Sequence, residues 1–267
     1  MKLIRWIATR FSTRRFEGRV REMHLLLQRA HAHLRLEEYD EARPFLLEVI
    51  ASRDSINDPD VIAYTLSALD ATWLLTERYE DGIAFFSEYI NRYPTDPEAH
   101  SGRAAALWYL GRHQDAIRDY SRALELKPSH ILSLSGRGQV FAEVGEHAKA
   151  IVDLDSALNA LRTASAPDDS WKEWYQQVEA FVHNGRGFAL AGLGDHAAAL
   201  DEFERSISLC PGNAWVYHNR AQFYDRLGDL EKSGEDYRKA LMKRNPALSP
   251  IKRSLAEARL SALSTRP

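Results

Sequence analysis

From residue 97 to residue 128, apolar and polar positions alternate with a helical period. Ala104, Ala105, Ala106, Leu107 and Leu110 make one short stripe. Ala116, Ile117, Tyr120, Ala123 and Leu124 make a second, spaced by one, three or four residues. Gly111, Arg112 and His113 separate the two, and Pro128 closes the unit, because a proline cannot continue a helix it did not start. The pattern predicts a hairpin of two amphipathic helices.

The hairpin recurs. A shift of 34 residues carries Gly111 onto Gly145, Ala116 onto Ala150 and Ala123 onto Ala157. After 15 additional residues the register returns at Gly194, Ala199 and Pro211, and a further 34 reach Gly228, Tyr237 and Ala240. Upstream, Ala30, Tyr39 and Ala42 set an earlier copy, with Pro44 expected near the start of its second helix, where a missing N–H is tolerated. The spacing predicts repeats over 23–56, 63–96, 97–130, 131–164, 180–213 and 214–247. Repeat two is degenerate: Asp70 takes the small-residue place, Glu77 the turn glycine and Gly82 the second-helix alanine.

This period, with its small, aromatic and proline positions, resembles the tetratricopeptide repeat. The resemblance implies an all-α fold, a right-handed α-solenoid of about six helix pairs with a C-terminal capping helix over 248–267. It also implies a function: a concave groove, lined by the first helices, that holds a peptide or helix of a partner protein. Placed on this sequence, that geometry points Tyr64, Leu132, Phe181 and Trp215 into the groove, with Trp108, Tyr109 and Phe188 further along. The small residues between them (Gly102, Gly136 and Gly185 among them) allow either close helix packing or the approach of a bound chain. One subclass grips a C-terminal carboxylate with a Lys and Asn pair. Its places hold Ser101 and Ala105 in repeat three and Asn184 and Phe188 in repeat five, and no repeat supplies the lysine.

Two further patterns concern packing. Arg103, Arg137, Arg186 and Arg220 are each followed 16 residues later by Asp119, Asp153, Glu202 or Asp236, whereas repeat two has Leu69 and Phe85 there. Repeat one has Arg29 and Phe45. Charge and countercharge that come and go together in repeats two to six predict ion pairs with buried arginine stems. In the last helix, Ile251, Leu255, Ala258 and Ala262 are expected inward and Lys252, Arg253 and Arg259 outward, closing one continuous core from about Met23 to Ala262.

The insertion near 165–179 departs most from the repeat. Ser170 with Glu173 fits a capping box, and nothing from Trp171 to Leu193 breaks a helix. Trp171, Trp174, Tyr175 and Val178 share one face, which either packs on the preceding repeat or offers a second docking surface.

Residues 1–22 carry seven basic against two acidic side chains, although the whole chain has a formal charge of −3. Leu3, Ile7 and Phe11 make this a basic amphipathic segment: a leading helix packed on repeat one, a membrane-surface anchor or a mitochondrial presequence. A near-neutral pI of 6.4 argues against a nucleic-acid partner. Cys210 is the single cysteine, so no internal disulfide forms, which fits a cytoplasmic setting but also an exported disulfide-free protein. Glycine pairs such as Gly136 and Gly138 lie inside helices without a preceding strand, and His24 and His31 are too far apart to share a metal. No cofactor, metal or catalytic site is expected. The reading is a non-enzymatic scaffold for a protein or peptide partner, with a membrane-surface adaptor as the alternative; oligomeric state is not in the sequence.

Overall fold

A computed structural model describes residues 17–56, 58–164, 172–243 and 248–264. The basic stretch before Glu17, and Trp171 with the proposed cap at Ser170, lie outside the described residues. Among the described residues thirteen α-helices follow one another: α1 Glu17–Arg35, α2 Tyr39–Ala51, α3 Pro59–Leu75, α4 Tyr79–Arg92, α5 Pro97–Tyr109, α6 His113–Leu126, α7 Ile131–Glu143, α8 His147–Thr163, α9 Lys172–Leu193, α10 His196–Leu209, α11 Ala214–Leu227, α12 Leu230–Met242 and α13 Pro250–Ser264. A short 3-10 turn, Arg53–Ser55, fills the longer loop before α3. Among the described residues there is no strand. Six hairpins, α1/α2 to α11/α12, stack in order, and α13 closes the array.

Local chemistry explains where helices start and stop. Asp58 and Asp96 cap α3 and α5 by accepting backbone N–H bonds, each followed by a proline at the first helical position. Gly111, Gly145, Gly194 and Gly228 end the first helices of repeats three to six with φ between 74° and 87°. Glu37 and Glu77 hold the same place in repeats one and two at φ 60° and 57°, where a Cβ is strained. Glu37→Gly is therefore expected to raise stability by about 0.5–1 kcal/mol, the relief of strain less the greater chain entropy of glycine. A urea midpoint that does not move upward would count against this. Pro44 sits in the second turn of α2 rather than its first, so the helix forgoes a backbone bond there.

The arginine and carboxylate pairs form as the spacing predicts. Arg103 binds Asp119 through two bonds of 2.6 and 2.8 Å, Arg137 binds Asp153 at 2.7 and 2.9 Å, and Arg220 binds Asp236 at 2.7 and 3.0 Å. Arg186 reaches Glu202 at 2.7 Å. The first two also donate to Ser87 and Ser121 of the preceding hairpin, so each pair ties its own helices and the neighbouring repeat together. In repeat one Arg29 lies over the Phe45 ring instead.

Two expectations are corrected. The core is not one continuous body but two clusters, one from Met23 to Ala99 and one from Ala104 to Ala256. The border falls inside α5, at the small or polar residues His100, Ser101, Gly102 and Arg103. The last helix also presents the opposite face: Lys252, Ala256 and Arg259 turn inward, while Ile251 and Leu255 are 48 and 54 % exposed. Acids waiting on the solenoid determine that face, not the apolar stripe.

Candidate functional site: the inner face of the solenoid

The first helices α3, α5, α7, α9 and α11 supply the inner side chains. A methyl group on Gly102 would overlap the Phe86 ring, and one on Gly136 the Tyr120 ring. These glycines serve close packing against the preceding second helix, not the approach of a bound chain.

The inner aromatics divide into two places. At the first, Trp108 and Tyr109 of α5 meet Trp215 of α11, with ring centres 4.8 and 5.4 Å apart, and Phe181 of α9 lies 5.9 Å from Trp108. Repeats three, five and six thus touch across the axis of the superhelix. Trp215 is 1 % exposed, and Trp108 and Phe188 are also buried. These three side chains, expected to face a partner, instead fill the interior, because the array curves tightly enough to bring α11 back onto α5.

Beside this hub lies a buried polar knot. Glu143, at the end of α7, accepts bonds from Lys252 of α13 at 2.7 Å and from the Trp108 indole at 2.9 Å, with His113 at 3.4 Å. Burial acts to raise the Glu143 carboxyl, but the Lys252 charge and the bonds from His113, Lys252 and Trp108 outweigh it and hold it at about 2. His218 is lowered to about 3, first by burial and then by Lys252, with Glu143 opposing. Lys252 also stands 4.7 Å from the Trp215 ring centre.

The second place is open. A cavity of about 980 Å³ lies between α3, α7, the end of α8 and the start of α9. Tyr64 and Leu132 line it from repeats two and four, and Trp174 and Tyr175 line it from the insertion. Its volume is at the upper end for ligand sites. Glu98 and His130, bonded at 2.8 Å, supply polar groups on its wall, with Asp60 and Lys127. Burial pushes the Tyr64 hydroxyl up to about 12. Asp70, next in the chain to Ala71 of the cavity lining, has a buried Oδ1 without a hydrogen-bond partner. Burial, helped by the Glu98 charge, holds it well above the usual carboxylate range. The sequence placed these two pairs in separate surfaces; the extra turns of α9 bring them together.

Among the described residues, no group of histidine, cysteine and carboxylate side chains could hold a metal ion, and no helix is long and apolar enough to cross a membrane. His147 fits against Gly192 and His196 packs edge-on to Phe223, so both are packing groups.

Stacked helical hairpins with an inner face of this kind define a protein–protein interaction scaffold. Tetratricopeptide repeat families match residues 27–97, 97–130, 180–213 and 202–235. The chain belongs to the tetratricopeptide repeat family, whose members bind protein partners and are typically non-catalytic. No curated protein matches it in sequence. Among solved structures, a hetero-tetramer of the APC/C proteins Cut9 and Hcn1 matches at TM-score 0.63 and 15 % identity, over 98 % of this chain and 46 % of that one. A tetratricopeptide repeat protein from Parabacteroides merdae matches at 0.51 and 15 %, over 92 % and 100 %. A thermophilic TPR protein of Thermus thermophilus matches at 0.51 and 19 %, over 74 % and 99 %. At these identities the likeness is one of fold.

Proposed function

We propose that the chain is a non-catalytic scaffold that binds a peptide or helix of a partner protein in the cavity between repeats two and four and the start of α9. The observation that supports this is the convergence of Tyr64, Leu132, Trp174 and Tyr175 on one open, largely apolar space. Aromatic walls suit an apolar anchor side chain, and the polar rim suits the partner's backbone. Tyr64 and Leu132 of the inner face carry the proposal with Trp174 and Tyr175. Trp108, Phe188 and Trp215 are structural, and Tyr109 and Phe181 border the hub.

The test is affinity capture with the full chain, followed by titration of the captured protein against variants. Trp174→Ala and Tyr175→Ala are expected to weaken binding at least tenfold with unchanged helical content. Equal binding by wild type and both variants would move the site elsewhere.

A further inference from the structure

The last helix does more than cover the end of the array. α13 carries Lys252 and Arg259 onto the inner face and Arg253 at its exposed edge, and each meets an acid from a different repeat. Lys252 binds Glu143 of repeat four at 2.7 Å, and both side chains are only 13 % exposed. Arg253 reaches Glu77 in the turn of repeat two at 3.4 Å. Arg259 forks onto Asp225 of repeat six with bonds of 2.8 and 3.0 Å. The apolar contribution is small by comparison: of the helix's own residues only Ala256 is fully buried, and its Ile251 and Leu255 face largely outward.

A helix held this way is recognised by charge and shape rather than by apolar area. Glu77, Glu143 and Asp225 form an acidic track, and the Trp215 ring beside Lys252 adds a cation site. We propose that α13 is an intramolecular occupant of a groove that also accepts a basic amphipathic helix of a partner protein, the two competing for the same acids. The fitting helix carries adjacent cations, a small residue four positions after the first, and another cation three positions beyond that, as Lys252, Arg253, Ala256 and Arg259 do. Partner binding would then require α13 to leave, so access to the groove is controlled by the chain itself. This surface is separate from the cavity beside Trp174.

A synthetic peptide of residues 249–264 tests the idea with the full chain. The triple variant Lys252→Ala, Arg253→Ala, Arg259→Ala weakens the resident helix and leaves the acids in place. It is expected to bind the peptide at least tenfold more tightly than wild type does, read by calorimetry and by tryptophan emission. A peptide carrying Lys252→Glu, Arg253→Glu and Arg259→Glu is expected not to bind. Equal binding to both chains, or no binding to a triple variant of wild-type helicity, would overturn the proposal. Should the triple variant lose helicity, hydrogen exchange on the wild-type chain decides. Adding the peptide in excess should displace the resident helix and cut protection of α13 amides at least tenfold more than that of α11. Equal changes in the two helices would overturn it.

Discussion

Replacing Trp215 by alanine is expected to cost about 3–5 kcal/mol, enough to threaten folding outright. The side chain is 1 % exposed and touches Trp108, Tyr109 and the Lys252 ammonium. Its removal leaves a cavity where repeats three and six meet, and the hub cannot collapse without moving whole helices. The loss should appear as a large fall in the urea midpoint and, near physiological temperature, as reduced helical signal. Were the inner face open there, the tryptophan would be a surface residue and its truncation would cost well under 1 kcal/mol. A variant with the wild-type midpoint would therefore show that the superhelix does not close.

Glu143→Gln is expected to destabilise the protein by about 3 kcal/mol at neutral pH, the equivalent of a carboxyl lowered from 4.5 to about 2. The neutral amide keeps much of the shape but leaves the Lys252 charge buried without its partner. The sign of the pH effect follows. A depressed carboxyl gives stability that is fully present above its unfolded value and lost as pH falls toward the folded one. The difference between wild type and variant should thus be constant above about pH 5 and shrink from there toward pH 2. His218, lowered from 6.5 to about 3, adds an earlier loss. It is neutral in the fold, so stability begins to drop below about pH 6.5 in wild type and variant alike. A wild-type and variant difference that does not vary between pH 5 and 3 would rule out Glu143 as the group responsible.

Local features were legible in the sequence because their causes are local. The turn glycines, the small residues opposite one another and the closing prolines repeat at a fixed spacing, and the hairpins follow from them. The arginine and carboxylate pairs were visible as well, since residues 16 apart face each other across the hairpins of repeats three to six. The buried Arg43 was not. It donates to Thr72 and Thr76 of the next hairpin, and no periodic partner marks it. Nor was the split of the inner aromatics. Whether Trp215 lines a groove or meets Trp108 depends on small rotations accumulated over three repeats and on the extra turns of α9. Neither is written in any one stretch. The orientation of α13 is not legible in the sequence for a related reason. Its apolar stripe suggests one inward face, but Glu143 and Asp225, which lie 109 and 34 residues before the cations they bind, select the other.

A repeat array can ordinarily gain or lose a unit by duplication or deletion, because each unit knows only its neighbours. Contact between Trp108 and Trp215 removes that freedom from the second half of this chain. A hairpin added between repeats three and six would carry Trp215 past its partner, and one removed would leave it short, stranding Glu143 and Lys252 as well. The first two repeats have a core of their own and meet the last helix only at an exposed pair, Arg253 with Glu77, so the constraint on them is weaker. Variation in length among natural relatives of this protein should accordingly fall before α5, while the interval from α5 to α11 keeps a fixed number of hairpins.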